Sequence, residues 1–230
     1  MVEIRNIIFD WDHTLFPFSQ YWERAHKQAF FDFKYDTLLS FSDFIKTYRR
    51  YDQDLWPLVA QGEMTLDELR VLRLVKAMEE HNYIVSPEEA KRFFNHFFST
   101  LLQLIEPEPF LLEQVLSLQQ HYQLAILTNG KISEQREKIK RAGFEGIMPV
   151  YISEEMGLEK PDLAAFQYVL AKEKFQVKHT LMVGDSLTND ILPAKELGLQ
   201  TAYIGKEQTK ESELTFLSIQ ELCDYLLKDT

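Results

Sequence analysis

The 230-residue chain carries a formal net charge of −11, with 45% hydrophobic and 13% aromatic residues but only 8 Gly and 8 Pro, which excludes a disordered or fibrous protein. It is long enough for one large domain or two smaller ones, and its acidic balance, with no basic stripe, excludes a nucleic-acid polymer as partner. A lone cysteine, Cys223, excludes an internal disulfide and a cysteine-based metal cluster, and no apolar run approaches the ~18 residues of a membrane span, so the expected setting is the cytoplasm, with no obligate protein partner.

The first element is a strand over residues 4–9, whose apolar run Ile7-Ile8-Phe9 stops at Asp10-Trp11-Asp12-His13-Thr14. In extended backbone, residues i and i+2 point the same way, so Asp10 and Asp12 can face one substrate. Two like charges that close need a cation or a shared proton. Taken alone, the segment reads equally well as a solvated acidic turn.

Residues 17–106 show only helical periodicity with many aromatics, in helices over residues 18–31 and 41–51, Leu66–Glu80 and Pro87–Leu104. The Phe93-Phe94 and Phe97-Phe98 pairs are read as helix-packing core. Trp56 either stacks on a ligand's ring or packs in that core, with packing the expectation; Arg70 and Arg73 are expected on a solvated helix face. Pro17 and the run Glu106-Pro107-Glu108-Pro109 mark short, stiff boundaries to this insert.

From residue 107 onward strands alternate with helices. Strands are predicted over residues 124–127, Val150–Ile152, 180–183 and 201–204. A helix is expected to open with Ser133 as N-cap and stop at Gly143, followed by helices over residues 163–172 and 194–197, the last closed by Gly198. Near-continuous apolar strands imply burial on both faces. The predicted fold is therefore α/β: a doubly wound parallel sheet with right-handed crossovers, built from residues 1–16 and 107–230 and interrupted by the helical domain of residues 17–106.

Ligands of such sheets bind beyond the carboxyl ends of the strands. Three polar clusters share that rim: Asp10 to Thr14, Thr128-Asn129-Gly130, and Gly184-Asp185-Ser186-Leu187-Thr188-Asn189-Asp190. Lys160, held towards an extended conformation by Pro161, can reach back to it. Asp10 and Asp185, oxygen ligands without nearby His or Cys, suit a hard octahedral cation, Mg2+. Thr128, the backbone N–H groups after it and Lys160 make a pocket for a phosphoryl group. With phosphorus held there, Asp10 can attack in line to give an aspartyl-phosphate, and Asp12 can protonate the leaving oxygen and later activate water. Singly each motif has a plain reading: a turn, a surface lysine, a helix cap. All four in order at consecutive strand ends favour the functional one.

On these residues the chain resembles the haloacid dehalogenase superfamily, in the subfamily whose helical cap lies between the first and second motifs. The resemblance implies Asp10 as nucleophile, Asp12 as acid/base whose main-chain carbonyl also binds Mg2+, and Asp185 as the third protein ligand. It also implies Thr128, Asn129 and Lys160 as phosphoryl-binding residues, and Asn189 and Asp190 as residues orienting metal waters or Lys160. Leu55-Trp56, Gly62-Glu63-Met64-Thr65, Arg70, Gln135 and Ser153-Glu154-Glu155-Met156-Gly157 resemble the pyrimidine 5′-nucleotidases of that superfamily. His13 is read as a turn residue rather than a base, and Pro193, where many relatives have Gly, sits in a first helical turn where it loses no needed hydrogen bond.

The expected activity is Mg2+-dependent hydrolysis of a small phosphorylated metabolite, a nucleoside 5′-monophosphate by preference. The alternatives are a sugar phosphatase or phosphomutase of the same fold, a haloacid dehalogenase, against which Asp12 argues, and a binding module that has lost catalysis.

Overall fold

In a computed structural model, which describes residues 2–206 and 209–228, the chain divides into two compact units, Met1–Phe18 with Ile105–Thr230, and Ser19–Leu104. The first holds a six-stranded sheet in the order β3-β2-β1-β4-β5-β6, every pairing parallel: β1 Asn6–Phe9, β2 Gln123–Thr128, β3 Val150–Ile152, β4 Thr180–Gly184, β5 Gln200–Ile204 and β6 Leu214–Phe216. This is the doubly wound parallel sheet expected from the sequence. β1 is central, flanked by β2 and β4, and all four of its residues are buried, which is why the sequence there is apolar without alternation. Strand order reverses beside β1, so the crevice at the carboxyl ends of β1 and β4 is the natural ligand position.

Ten helices fill the described chain: α1 Phe18–Asp32, α2 Phe41–Ala60, α3 Leu66–Glu80, α4 Pro87–Leu104, α5 Pro109–Leu118, α6 Ile132–Arg141, α7 Ser153–Met156, α8 Leu163–Glu173, α9 Leu192–Glu196 and α10 Ile219–Leu227. On one face of the sheet Ile8, Ala125, Leu127 and Met182 pack with Ala165, Phe166 and Val169 of α8 and Ala194 of α9. Each such buried apolar side chain contributes roughly 1.5–3 kcal/mol for the larger types. Helices α5 and α10 pack on one another, burying Leu111, Val115 and Leu118 with Leu222, Cys223 and Leu226. Cys223 is thus packed, as its pattern indicated.

Several local expectations are corrected. Helix α6 starts at Ile132, so Ser133 lies inside it rather than capping it. The cap at that end comes from a distance: the Glu154 carboxylate accepts from the Ile132 N–H at 2.6 Å. Gly143 does follow the helix, in the left-handed region at φ 84. After β3, Ser153–Met156 makes one helical turn. Helix α5 and strand β6 are additions: Pro109 opens α5 with Glu108 as N-cap, and β6 is a three-residue edge strand.

The helical unit builds its own core from aromatics. Phe30, Phe44, Tyr48, Phe93 and Phe97 are buried, and the His26 ring lies 3.8 Å from that of Phe97 and 4.0 Å from that of Trp22. Burial, reinforced by the Arg73 charge, holds the His26 pKa well below its ordinary value. Helix α2 runs past Tyr51 and Pro57 to Ala60, because the stretch beyond Tyr51 still pairs with α3 through Asp52 and Arg73. Arg70 and Arg73 are not on a solvated face: both are buried, with Arg70 4.2 Å from the Phe94 ring and Arg73 5.0 Å from that of Tyr48. Trp56 departs the other way, 45% exposed rather than packed.

Candidate active site

β1 ends at Phe9, and the Asp10 N–H still extends the ladder by donating to Val183 O at 2.8 Å. The chain then folds into a closed turn, in which Phe16 N–H donates to Trp11 O at 2.9 Å and His13 N–H to Phe16 O at 2.7 Å. His13 takes φ 68 at its tip and is exposed, as a turn histidine should be. Asp10 and Asp12 therefore stand where β1 gives way to a tight turn, with Asp12 bridged to Phe16, and their carboxylates have different partners.

Asp10 Oδ1 accepts from Lys160 Nζ at 2.7 Å, and the same ammonium donates to Asp190 Oδ1 at 2.6 Å. All three side chains are buried, Lys160 at 4% exposure. Asp190 Oδ2 accepts from the Ser186 N–H at 3.1 Å. A π-helical turn, Leu187–Ile191, brings Asp190 back against Gly184, where an added Cβ would fall 2.4 Å from the Asp190 Cβ. No residue larger than glycine fits there without moving Asp190.

One carboxylate oxygen from each of Asp10, Asp185 and Asp190 can be chosen so that all lie within 4.8 Å of one another. Burial pushes the Asp185 carboxyl up to about 7, with the Asp10 charge adding to it. Burial likewise raises Asp10 and Asp190, against the opposing pull of Lys160. For Lys160, burial alone would lower the pKa, but Asp10 and Asp190 more than offset it and hold it above the usual lysine value. Three crowded carboxylates against one ammonium leave negative charge in excess, and an all-oxygen donor set of that kind fits a hard divalent cation. Asp190 is the least available of the three, because both its oxygens already accept hydrogen bonds.

Thr128 closes β2 and is buried. Asn129 uses its side chain on the loop that carries Lys160: Nδ2 donates to Lys160 O at 2.7 Å, and Oδ1 accepts the Lys160 N–H at 2.9 Å. The Asn129 amide thus fixes Lys160 rather than offering itself to a phosphoryl group, leaving its backbone N–H for that part. The Gly130 N–H is also engaged, donating to Ser153 Oγ at 2.9 Å. Asn189 does not join the cluster through its side chain; it is exposed, and its backbone N–H donates to Ser186 Oγ at 3.1 Å.

Two α6 residues complete the site, one with no sequence signal of its own. Lys138 Nζ donates to both Asp12 oxygens, at 2.6 and 2.5 Å. Gln135 Nε2 lies 3.0 Å from Asp12 Oδ2, 2.6 Å from Thr128 Oγ1 and 2.8 Å from Asn129 O. Gln135 was noted only within the nucleotidase-like pattern; Lys138 looks like any lysine of a charged helix.

The family profile of haloacid dehalogenase-like hydrolases matches residues 7–204, most of the chain and every residue of this cluster. The chain belongs to that family. It is accordingly a hydrolase, and its relatives narrow the chemistry. The Bacillus subtilis HAD-hydrolase YfnB is 29% identical over 90% of this chain and 86% of its own. A crystal structure of YfnB bound to magnesium superposes with a TM-score of 0.83, at 26% identity, over 97% of this chain and 99% of that one. The glyceraldehyde 3-phosphate phosphatase of Methanocaldococcus jannaschii is 30% identical over 96% of both chains. The Escherichia coli pyrimidine 5′-nucleotidase YjjG is 27% identical over 96% of this chain and 97% of its own. No helix among the described residues of this family member is long and apolar enough to cross a membrane.

Proposed function

We propose that the chain is a Mg2+-dependent phosphomonoester hydrolase that works through an aspartyl-phosphate. The observation that carries this is the buried Lys160 ammonium shared by Asp10 and Asp190 beside Asp185, at the carboxyl ends of β1 and β4. A lysine fixed there can neutralise phosphoryl oxygens in an otherwise acidic protein.

Asp10 Oδ1 is held by Lys160, so attack on phosphorus falls to its second oxygen. As the Asp10–phosphorus bond forms, the bond to the leaving oxygen breaks, and Asp12 gives that oxygen a proton. In the second half, water loses a proton to Asp12 and attacks phosphorus, and the bond to Asp10 breaks, returning its carboxylate. Asp10, Asp185 and the main-chain carbonyl of Asp12 would hold Mg2+, which when bound offsets charge on the phosphoryl oxygens. Thr128 and Lys160 orient the phosphoryl group, and Asp190 keeps Lys160 in place.

The favoured substrate is a nucleoside 5′-monophosphate, supported by the similarity to YjjG and by the pattern around Gln135 and Gly157. The similarity to the M. jannaschii enzyme favours a second reading, a small phosphorylated sugar. A phosphate-release screen with Mg2+ over pyrimidine nucleotides, purine nucleotides, triose phosphates and hexose phosphates separates them. Preference for pyrimidine nucleotides is the expected result; selectivity for triose phosphate supports the second reading, and isomerised hexose phosphate without free phosphate overturns hydrolysis in favour of a mutase.

Mg2+ binding should be linked to protons. Because Asp185 is pushed up to about 7, a cation has to displace its proton below that value. Affinity measured by titration calorimetry is expected to rise between about pH 6 and about pH 8, with proton release visible as a buffer-dependent heat at the lower pH. Affinity that stays flat across that range contradicts the assignment of Asp185 as a ligand.

A further inference from the structure

On the reading that Asp12 is the acid/base of this site, we infer that Lys138 is its positioning residue, with Gln135 as the second arm of the same clamp. The two lie three residues apart on α6, so their side chains share one helix face. Both are almost fully buried, Lys138 at 4% and Gln135 at 2% exposure, while Asp12 is only partly so.

Lys138 grips both Asp12 oxygens, at 2.6 and 2.5 Å, and its ammonium stands 4.9 Å from the Phe18 ring and 5.9 Å from the Phe16 ring. Asp12 and the two rings belong to the turn after β1 and its continuation, so Lys138 ties that turn to α6. Gln135 adds a bond to Asp12 Oδ2 and links it to Thr128 Oγ1 and Asn129 O. Gly130 makes room for this: a Cβ at Gly130 would come within 3.2 to 3.3 Å of the Gln135 side chain.

Energetics argue that the clamp serves orientation. Burying a lysine to pair it with a carboxylate gains little net stability, since desolvation offsets the attraction. What it gains is geometry. A proton donor misplaced by about 1 Å can lose on the order of 10²-fold in rate. The Asp12 carboxylate sits on the turn beyond β1, where the backbone is bridged to Phe16 of the same turn, and α6 supplies the fixed point for the side chain.

The test compares the full-length wild type with D12N, K138M, K138R and D12N/K138M, all with Mg2+. Two esters are used: uridine 5′-monophosphate, whose leaving alkoxide needs a proton, and 4-nitrophenyl phosphate, whose leaving phenolate does not. D12N is expected to lower kcat/KM, which reports leaving-group departure, by about 10²- to 10⁴-fold on the nucleotide and much less on the aryl ester, while kcat falls on both because water attack on the aspartyl-phosphate also needs Asp12. K138M is expected to lower kcat/KM by about 10²-fold on the nucleotide and much less on the aryl ester, to lower kcat on both, and to be largely restored in K138R.

The decisive comparison is the double variant, which should turn over no more slowly than D12N alone, because Lys138 has nothing left to position. That comparison holds even if K138M alone folds poorly, since D12N/K138M removes both charges of the pair. A double variant slower than D12N by the full K138M factor, or a K138M loss in kcat/KM equal on both esters, overturns the inference while leaving the phosphatase reading intact. A wild type that hydrolyses neither ester overturns both.

Discussion

Replacing Asp10 by Asn is expected to abolish phosphate release, by about 10⁴-fold or more, while the fold survives. The amide keeps the shape of the carboxylate, and its oxygen can still accept from Lys160, whose ammonium lies 2.7 Å from Asp10 Oδ1. What disappears is the nucleophilic oxygen and one buried charge. Burial raises the Asp10 carboxyl above its ordinary value, which means the charged form is costly in the metal-free protein. D10N should therefore unfold at the same or a higher urea concentration than wild type near neutral pH. Loss of activity with stability kept or gained separates a reacting group from a structural one. Turnover within about tenfold of wild type would remove Asp10 from the chemistry.

The second large effect is on stability. Lys160→Met leaves Asp10, Asp190 and Asp185 facing one another without the ammonium that two of them share. Breaking a buried pair by removing one partner costs about 3–5 kcal/mol, because uncompensated charge is left behind. The pH dependence follows from the direction of the shifts. Burial raises these carboxyls even in the wild type, and without Lys160 they rise further. The folded variant then binds more protons than the unfolded chain from about pH 4 upward, so its stability falls as pH rises through that window. Urea unfolding should show the gap between wild type and K160M widening from about pH 5 to about pH 8, and Mg2+ should narrow it at the higher pH. A gap independent of pH would mean that Lys160 contributes packing rather than charge.

What could be read from the sequence follows from how local each signal is. Ile7-Ile8-Phe9 and Leu124 to Leu127 are apolar without alternation because both faces of β1 and β2 are covered, and the residues just beyond them had to be the rim. Strand ends thus place Asp10, Thr128, Asp185 and Asp190 at that rim, and Pro161 marks Lys160 as a loop residue able to reach it. Lys138 was not, because a lysine in Glu137-Lys138-Ile139-Lys140 has the sequence of a solvated face; only the packing of α6 against the turn after β1 buries it. Ser133 misled for a related reason, since the N–H groups opening α6 are satisfied by Glu154, which is far away in sequence. Arg70 and Arg73 owe their burial to rings on other helices, Phe94 and Tyr48. Asn129 was placed correctly at the rim, but its side chain holds the backbone of Lys160, a pairing across 31 residues that no local pattern records.

The central assignment, Asp10 as the residue that carries the phosphoryl group, is tested most directly by trapping. Turnover in Mg2+ is stopped in acid within the first catalytic cycle, and the protein is reduced with tritiated borohydride and mapped by peptide. An acyl phosphate on Asp10 is reduced to homoserine at position 10, and label there is the predicted result. Phosphate release at full rate with no label at Asp10, or with phosphate carried on His13 or another side chain, contradicts it.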